Sequence, residues 1–115
     1  MWITIVIFAI AAVVGLSMAI SAFRGRFPPV PIAVLHGILA ASGLVLLLIA
    51  VFGHGAGGAA RWALAVFLIA ALGGFVLALA FHARRKPLPA GLVIGHAALA
   101  VAGFLVLLAA ALNLM

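Results

Sequence analysis

Two histidines lie inside apolar stretches of the sequence, and the two stretches share one pattern. His36 lies in VLHGILAASGLVLL, residues 34–47, and His96 lies in GHAALAVAGFLVLL, residues 95–108. An imidazole in apolar surroundings needs a hydrogen-bond partner or a metal, because an unsatisfied polar group is costly there. Neutral imidazole is also a common ligand of haem iron. The two histidines are therefore the candidates for chemistry in this chain.

The rest of the composition excludes most other kinds of site. The chain contains no Asp, no Glu and no Cys. Carboxylate acid–base pairs, Ser–His–Asp triads, thiolate metal sites, iron–sulfur clusters and covalent haem attachment are therefore excluded. No catalytic residue is predicted, and an electron-transfer or accessory protein is a better expectation than a stand-alone enzyme.

The elements that must position the histidines are four apolar segments. The 115 residues are 71% hydrophobic, and the mean hydropathy is +1.63. The segments cover roughly residues 2–23, 31–52, 60–82 and 88–112, and each has about the 20 residues that cross a bilayer as a helix. Because backbone groups in lipid must bond within the protein, the segments are predicted to be helices. The expected fold is an all-α integral membrane protein, a four-helix bundle forming one domain over residues 1–115.

The basic residues predict the orientation of this bundle. Five of the six lie in the first and third connections, and only Arg61 lies in the second. The positive-inside rule then places connections one and three in the cytoplasm and both termini outside, in the inner (cytoplasmic) membrane of the cell. The lipid bilayer is the expected partner of these cations, and nucleic acid is not.

A gapless shift of sixty positions pairs the less common residues of the two halves. The paired residues are Trp2 with Trp62, Arg24 with Arg84, Pro29 with Pro89, His36 with His96, and Gly43 with Gly103. The pairing predicts two parallel two-helix repeats, residues 1–58 and 59–115, related by a pseudo-twofold axis along the membrane normal. It also places the two histidines at equal depth, about 10 Å along their helices from the paired prolines.

Small residues follow each histidine on the same helix face. Ala40 and Gly43 follow His36, and Ala100 and Gly103 follow His96, at helical spacing. Because small side chains let a flat ligand approach, we hypothesise one b-type haem between helices two and four. His36 and His96 would be the axial ligands of its iron. Its propionates would bind the arginines of the nearer membrane face, which are Arg24, Arg26, Arg84 and Arg85.

The sequence Leu35-His36-Gly37 at the start of an apolar span, with a second helix-borne histidine, resembles small four-helix b-type cytochromes of the cytochrome b561 kind. The resemblance extends over nearly the whole chain, and it implies that His36 and His96 are axial haem ligands. Members of that family usually hold two haems, one near each membrane face. The outer half of this chain has no histidine pair, so one haem at most is implied. Electron transfer across the whole membrane by this chain alone is not implied.

Other interpretations stay open at this point. A chlorophyll-type pigment could replace haem, or the histidines could bind each other or a backbone carbonyl with no cofactor. The chain would then be an accessory subunit of a respiratory or photosynthetic membrane complex, or part of a homo-oligomer. A small transporter is a third possibility, although the intramembrane glutamate of small multidrug transporters is missing. His82 is expected at the membrane interface, and His54 in a solvated loop.

Overall fold

A computed structural model describes residues 1–114 as four helices, with no strand in that range. The bounds are α1, Trp2–Phe23; α2, Val30–Leu48, continuing through the π-helical Ile49–Gly53; α3, Gly58–Val76, continuing through the π-helical Leu77–His82; and α4, Ala90–Ala111. All four helices are long and apolar enough to cross a membrane. The all-helical class and the four apolar helices are therefore confirmed, with helix ends within two residues of the predicted ones.

The first and third connections have the same backbone geometry at the end of the preceding helix. Gly25 after α1 has φ +71°, and Arg85 after α3 has φ +52°. The next residue in each turn bonds back into the helix, Arg26 N to Ser21 O and Lys86 N to Phe81 O, both at 2.8 Å. Glycine suits this left-handed conformation, whereas an L side chain costs roughly 1–2 kcal/mol there. Arg85 therefore occupies a strained position that its counterpart fills with glycine.

The helices pack mainly as two hairpins. Helix α1 lies chiefly against α2 and α3 against α4, and the hairpins meet through α1 with α4 and α2 with α3. The bundle measures 42 × 21 × 19 Å. Residues 24–29 and 83–89 meet at one end, where His82 Nε2 lies 2.8 Å from the carbonyl oxygen of Pro28. This end carries five of the six cations, and we call it the basic end.

The buried core lies in the half of the bundle away from the basic end. At its centre the rings of Phe8 and Phe67, the phenylalanine pair, stack with centroids 4.1 Å apart and planes 6° from parallel. A methyl group on Gly43 would lie 2.8 Å from the Phe8 ring, and one on Gly103 would lie 3.3 Å from the Phe67 ring. The glycines of α2 and α4 thus admit the rings that join α1 to α3. The other members of this core are Ile5, Leu47, Val51, Ala60, Ala63, Leu64 and Leu107.

The half of the bundle toward the basic end is packed differently. Residues 12–23, 30–35, 71–82 and 90–95 of the four helices include one buried residue, Val93. The outward-facing side chains of both halves are large and apolar, as in a membrane protein; examples are Val13, Leu72 and Leu79. The basic half therefore has far fewer buried side chains than the core half.

Removing either ring of the phenylalanine pair should destabilise the bundle. We expect Phe8→Ala or Phe67→Ala to lower the free energy of unfolding by about 3 kcal/mol, because the cavity adds to the lost stacking. Denaturant titration in detergent micelles measures this change. Phe52→Ala is the matched control, since Phe52 is 78% exposed; an equal loss in the control would show that the stacked pair has no special weight.

Candidate functional site

His36 is held by helix α1. Its Nδ1 lies 2.8 Å from the backbone carbonyl oxygen of Ala11. The ring lies directly over Gly15, where an added Cβ would approach Cε1 of His36 to 2.8 Å. The absence of a side chain at Gly15 therefore lets the imidazole reach the α1 backbone.

His96 is held by helix α3 in the same way. Its Nδ1 lies 2.7 Å from the backbone carbonyl oxygen of Ala70. An added Cβ on Gly74 would approach Cε1 of His96 to 3.0 Å. Each histidine thus bonds to an alanine carbonyl and packs against the glycine four residues further along the neighbouring helix.

These contacts fix the tautomer of both rings. A carbonyl oxygen only accepts hydrogen bonds, so Nδ1 of His36 and Nδ1 of His96 must carry the proton and donate it. In the neutral ring the lone pair then lies on Nε2. A histidine that ligates a metal through Nε2 commonly donates its other N–H to a backbone carbonyl, which orients the ring. The bonds to Ala11 and Ala70 therefore leave both Nε2 atoms as available ligands.

The two histidines, which we call the histidine pair, approach each other from opposite helices. Their ring centroids are 6.2 Å apart, and the ring planes are 80° from parallel. Both side chains are half-buried. Within residues 1–114 no group of three potential metal-ligating side chains forms. The pair therefore offers two imidazole nitrogens and no third protein ligand.

The small residues predicted beside a macrocycle lie on the core side of the histidine pair. Gly43 and Gly103 are buried against Phe8 and Phe67, while Ala40 and Ala100 are half-buried one turn from their histidines. The stacked rings occupy the space beside the two glycines. Toward the basic end of the histidine pair the helices enclose fewer side chains.

The four arginines predicted to bind propionates are all exposed at the basic end, and Arg26 and Arg85 line a common cleft there. His82 is half-buried, and its ring stacks on Phe27 with centroids 4.5 Å apart. His54 is exposed in the second connection. His82, the last residue of α3, thus links this helix end to the first connection.

Sequence reasoning missed the residues that hold the histidines. The pairs Ala11–Gly15 and Ala70–Gly74 are ordinary in an apolar helix, and nothing in their own sequence points to a histidine partner. Their common spacing of four residues, once in each hairpin, is the signal that could have identified them. The phenylalanine pair was missed because its members do not match in the sixty-residue shift.

Comparisons with protein families, with curated proteins and with solved structures find no match for this chain.

Filling the space at either supporting glycine should displace the histidine beside it. We expect Gly15→Ala and Gly74→Ala each to lower the free energy of unfolding by about 1–3 kcal/mol, because the methyl group overlaps the imidazole. The shift of the histidine Nδ1–H resonance, together with denaturant titration, measures the effect. Gly37→Ala and Gly95→Ala are matched controls, since nothing lies within 4 Å of a methyl group there. Loss of stability at Gly37 but not at Gly15 would contradict this account of the contact.

Proposed function

We propose that this protein binds one b-type haem between α2 and α4, with His36 and His96 as axial ligands, and acts in electron transfer or in redox support of a membrane complex. The observation that carries the proposal is the opposed histidine pair, in which both Nδ1 atoms donate to backbone carbonyls. The resemblance to b-type cytochromes implies the same two ligands. The hydrogen bonds of both Nδ1 atoms add that Nε2 is the nitrogen free to bind iron.

The number of available ligands favours haem over a free metal ion. A structural zinc site takes four protein ligands and a catalytic zinc site takes three. Haem iron already has four ring nitrogens and needs only two more donors, one on each side. The two Nε2 atoms of the histidine pair would supply these donors in a chain that has no Cys, Asp or Glu side chain.

The separation of the histidine rings also fits axial ligation. Two imidazoles that held one iron through Nε2, with metal–nitrogen bonds of about 2 Å, would have their ring centres roughly 6.3 Å apart. The ring centroids of His36 and His96 are 6.2 Å apart. This agreement supports the proposal that both imidazoles would hold one iron atom.

The packing of the bundle differs on the two sides of the histidine pair. On the core side the phenylalanine pair packs against Gly43 and Gly103. Toward the basic end the four helices bury only Val93, and the exposed arginines there can neutralise two propionates. A macrocycle centred on an iron held by both Nε2 atoms would extend to both sides of the histidine pair, and its propionates would be directed to the exposed arginines of the basic end.

Each residue of the site then has a defined part. The carbonyls of Ala11 and Ala70 keep the protons of the histidine pair on Nδ1, so that Nε2 is unprotonated and aimed by a fixed ring. Gly15 and Gly74 allow the rings to lie against the helix backbones. The bound haem supplies a one-electron redox centre, whose potential the protein sets by axial ligands, hydrogen bonds and burial.

The proposal includes the location of the chain. Four long apolar helices and apolar outer faces support insertion in the inner membrane. The basic end would face the cytoplasm and both termini the outside, because five of the six cations lie in the two short connections at that end. The haem would then lie in the cytoplasmic half of the bilayer.

We further infer that the chain is a duplicated hairpin whose second copy carries one extra residue. Matching contacts recur 59 residues apart in α1 and α3, but 60 apart in the connections, α2 and α4. The 59-residue pairs are Phe8 with Phe67, Ala11 with Ala70 and Gly15 with Gly74; the 60-residue pairs are Gly25 with Arg85, Pro29 with Pro89, His36 with His96 and Gly43 with Gly103.

The π-helical turn Leu77–His82 lies between the last 59-residue pair and the first 60-residue pair. A π-bulge is an α-helix with one residue inserted, so this turn accounts for the change of spacing. In this register Trp62 corresponds to Ile3, and the match of Trp2 with Trp62 falls outside it.

The haem proposal is tested by the spectrum of the purified protein. We expect a reduced-minus-oxidised difference spectrum of a bis-histidine haem and one haem per chain by pyridine haemochrome assay. His36→Ala or His96→Ala should abolish the bis-histidine spectrum, because each removes one axial ligand, while membrane insertion persists. His54→Ala, in the second connection, is the matched control. A colourless protein after expression with ample haem, still assembled with a larger complex, would favour the cofactor-free accessory subunit instead.

The duplication is tested by deleting single residues. Deletion of Ala80 should turn the π-helical segment into regular α-helix and change the free energy of unfolding by less than about 1 kcal/mol. Deletion of Ala65 should prevent folding, because a one-residue shift rotates Leu64 about 100° relative to Phe67, and both belong to the core. Cell-free insertion followed by size-exclusion chromatography distinguishes the two. Equal damage from both deletions would mean that the π turn is not an insertion.

A further inference from the structure

The first and third connections, at the basic end, form a cleft between them. Its volume is about 180 Å³, and its lining includes Ala22, Arg26, Phe27, Arg85 and Leu88. Both arginines are exposed, while Leu88 and Ala22 are half-buried. The cleft therefore has two guanidinium groups and an apolar wall, at the level where the apolar helices end.

Contacts between the connections hold the cleft in shape. His82 Nε2 lies 2.8 Å from the carbonyl oxygen of Pro28, which can only accept, so His82 donates this bond. The His82 ring stacks on Phe27 with planes 10° from parallel. The guanidinium carbon of Arg85 lies 5.8 Å from the centroid of the same Phe27 ring. A cation over an aromatic face keeps its N–H edges free for a further partner.

Arg85 has a left-handed backbone conformation, which indicates that its side chain is functional. At the matching turn of the first connection glycine occupies the left-handed position, with φ +71°. Arg85 has φ +52° there, a conformation that a residue with a Cβ adopts at a cost. Strained residues of this kind cluster at binding sites, and here the strained residue carries one of the two guanidinium groups of the cleft.

The charge of the chain requires that the partner of these arginines come from outside it. The sequence has no Asp or Glu, so no side-chain carboxylate of this chain can pair with Arg26 or Arg85. The uncapped N-terminus of α4 begins at Ala90, two residues after Leu88, and adds positive potential at the same end. Guanidinium groups bind phosphate oxygens in pairs, and a cleft of this size accommodates a headgroup rather than a whole lipid.

We propose that the cleft between residues 22–28 and 85–88 binds the phosphate of an anionic phospholipid headgroup, with Arg26 and Arg85 as its ligands. Phe27 and Leu88 contact the glycerol and the start of the acyl chains. This assignment leaves Arg24 and Arg84 as the partners of the haem propionates, and lipid binding does not require haem. The bound lipid ties the first connection to the third.

The test titrates purified protein in uncharged detergent with short-chain phosphatidylglycerol, and measures binding by calorimetry and native mass spectrometry. We expect one lipid per chain, with affinity reduced about tenfold or more in Arg26→Gln/Arg85→Gln. The control Arg24→Gln/Lys86→Gln removes the same charge from the same two connections without touching the cleft, and should bind within about twofold of the unaltered chain. Equal weakening in both double variants would overturn the site in favour of diffuse charge attraction.

Two further arms identify the source of the phosphate. Inorganic phosphate should compete only weakly, since it lacks the part that meets Phe27 and Leu88; competition at equal affinity would overturn the lipid assignment. The unaltered chain purified without haem should bind the lipid as the haem-loaded protein does. Binding that appears only in the haem-free protein would assign Arg26 and Arg85 to the haem propionates and overturn the proposal.

The variant Arg85→Gly separates binding from folding. Glycine suits the left-handed turn, so this variant should keep or raise the midpoint of thermal unfolding while losing about tenfold in lipid affinity. Retained affinity in a stable Arg85→Gly protein would overturn the role of Arg85. Because the haem spectrum is read separately, failure of the lipid site and failure of the haem site are distinguishable.

Discussion

The hydrogen bonds of His36 and His96 to backbone carbonyls are the constraint on which the rest of the structure depends. An imidazole cannot remain unbonded among apolar helices, because no water is available there to replace a missing partner. Ala11 and Ala70 provide that partner, but only if the neighbouring helix comes close enough. The glycine one turn further on makes this approach possible. A single polar group thus fixes the separation and the facing of the two helices in each hairpin.

The same constraint joins local packing to the candidate chemistry. With Nδ1 engaged, each ring can rotate only by breaking its bond to the carbonyl, so Nε2 has a defined direction. The two hairpins then set the distance between the rings through a separate contact, the stack of Phe8 on Phe67. The histidine hydrogen bonds act within each hairpin, whereas the aromatic stack joins the two hairpins. The first orient the imidazoles, and the second sets their separation.

Much of this arrangement follows from the sequence. Hydropathy alone predicts four helices, since about twenty apolar residues without a charge have few other structures available. The matching neighbourhoods of His36 and His96 correctly predict that the rings approach one another from α2 and α4. Proline and glycine locate the connections, because Pro29 and Pro89 precede helices and Gly25 ends one. These features depend on residues that are close in the sequence, so the sequence pattern is sufficient to predict them.

The parts that the sequence does not predict depend on which helix lies against which. Gly43 and Gly103 look like space for a ligand, but a glycine only permits close approach, and the approaching groups are Phe8 and Phe67. Phe8 and Phe67 lie 59 positions apart in the sequence. A gapless shift of sixty positions therefore cannot pair them. The sixty-residue shift pairs Trp2 with Trp62 instead, whereas the contact in the structure is between Phe8 and Phe67.

The two halves of the bundle reflect different demands on packing. Helices in lipid gain little from burying apolar side chains, since lipid tails are equally apolar. For such helices a close fit would have to provide the stability, and the core half has small residues around two stacked rings. The basic half has few enclosed side chains and is held instead by its connections, through His82, Pro28 and Phe27. With no Asp or Glu in the chain, no side-chain carboxylate balances the cations of that end. The half with fewer buried side chains is therefore also the half that carries most of the positive charge.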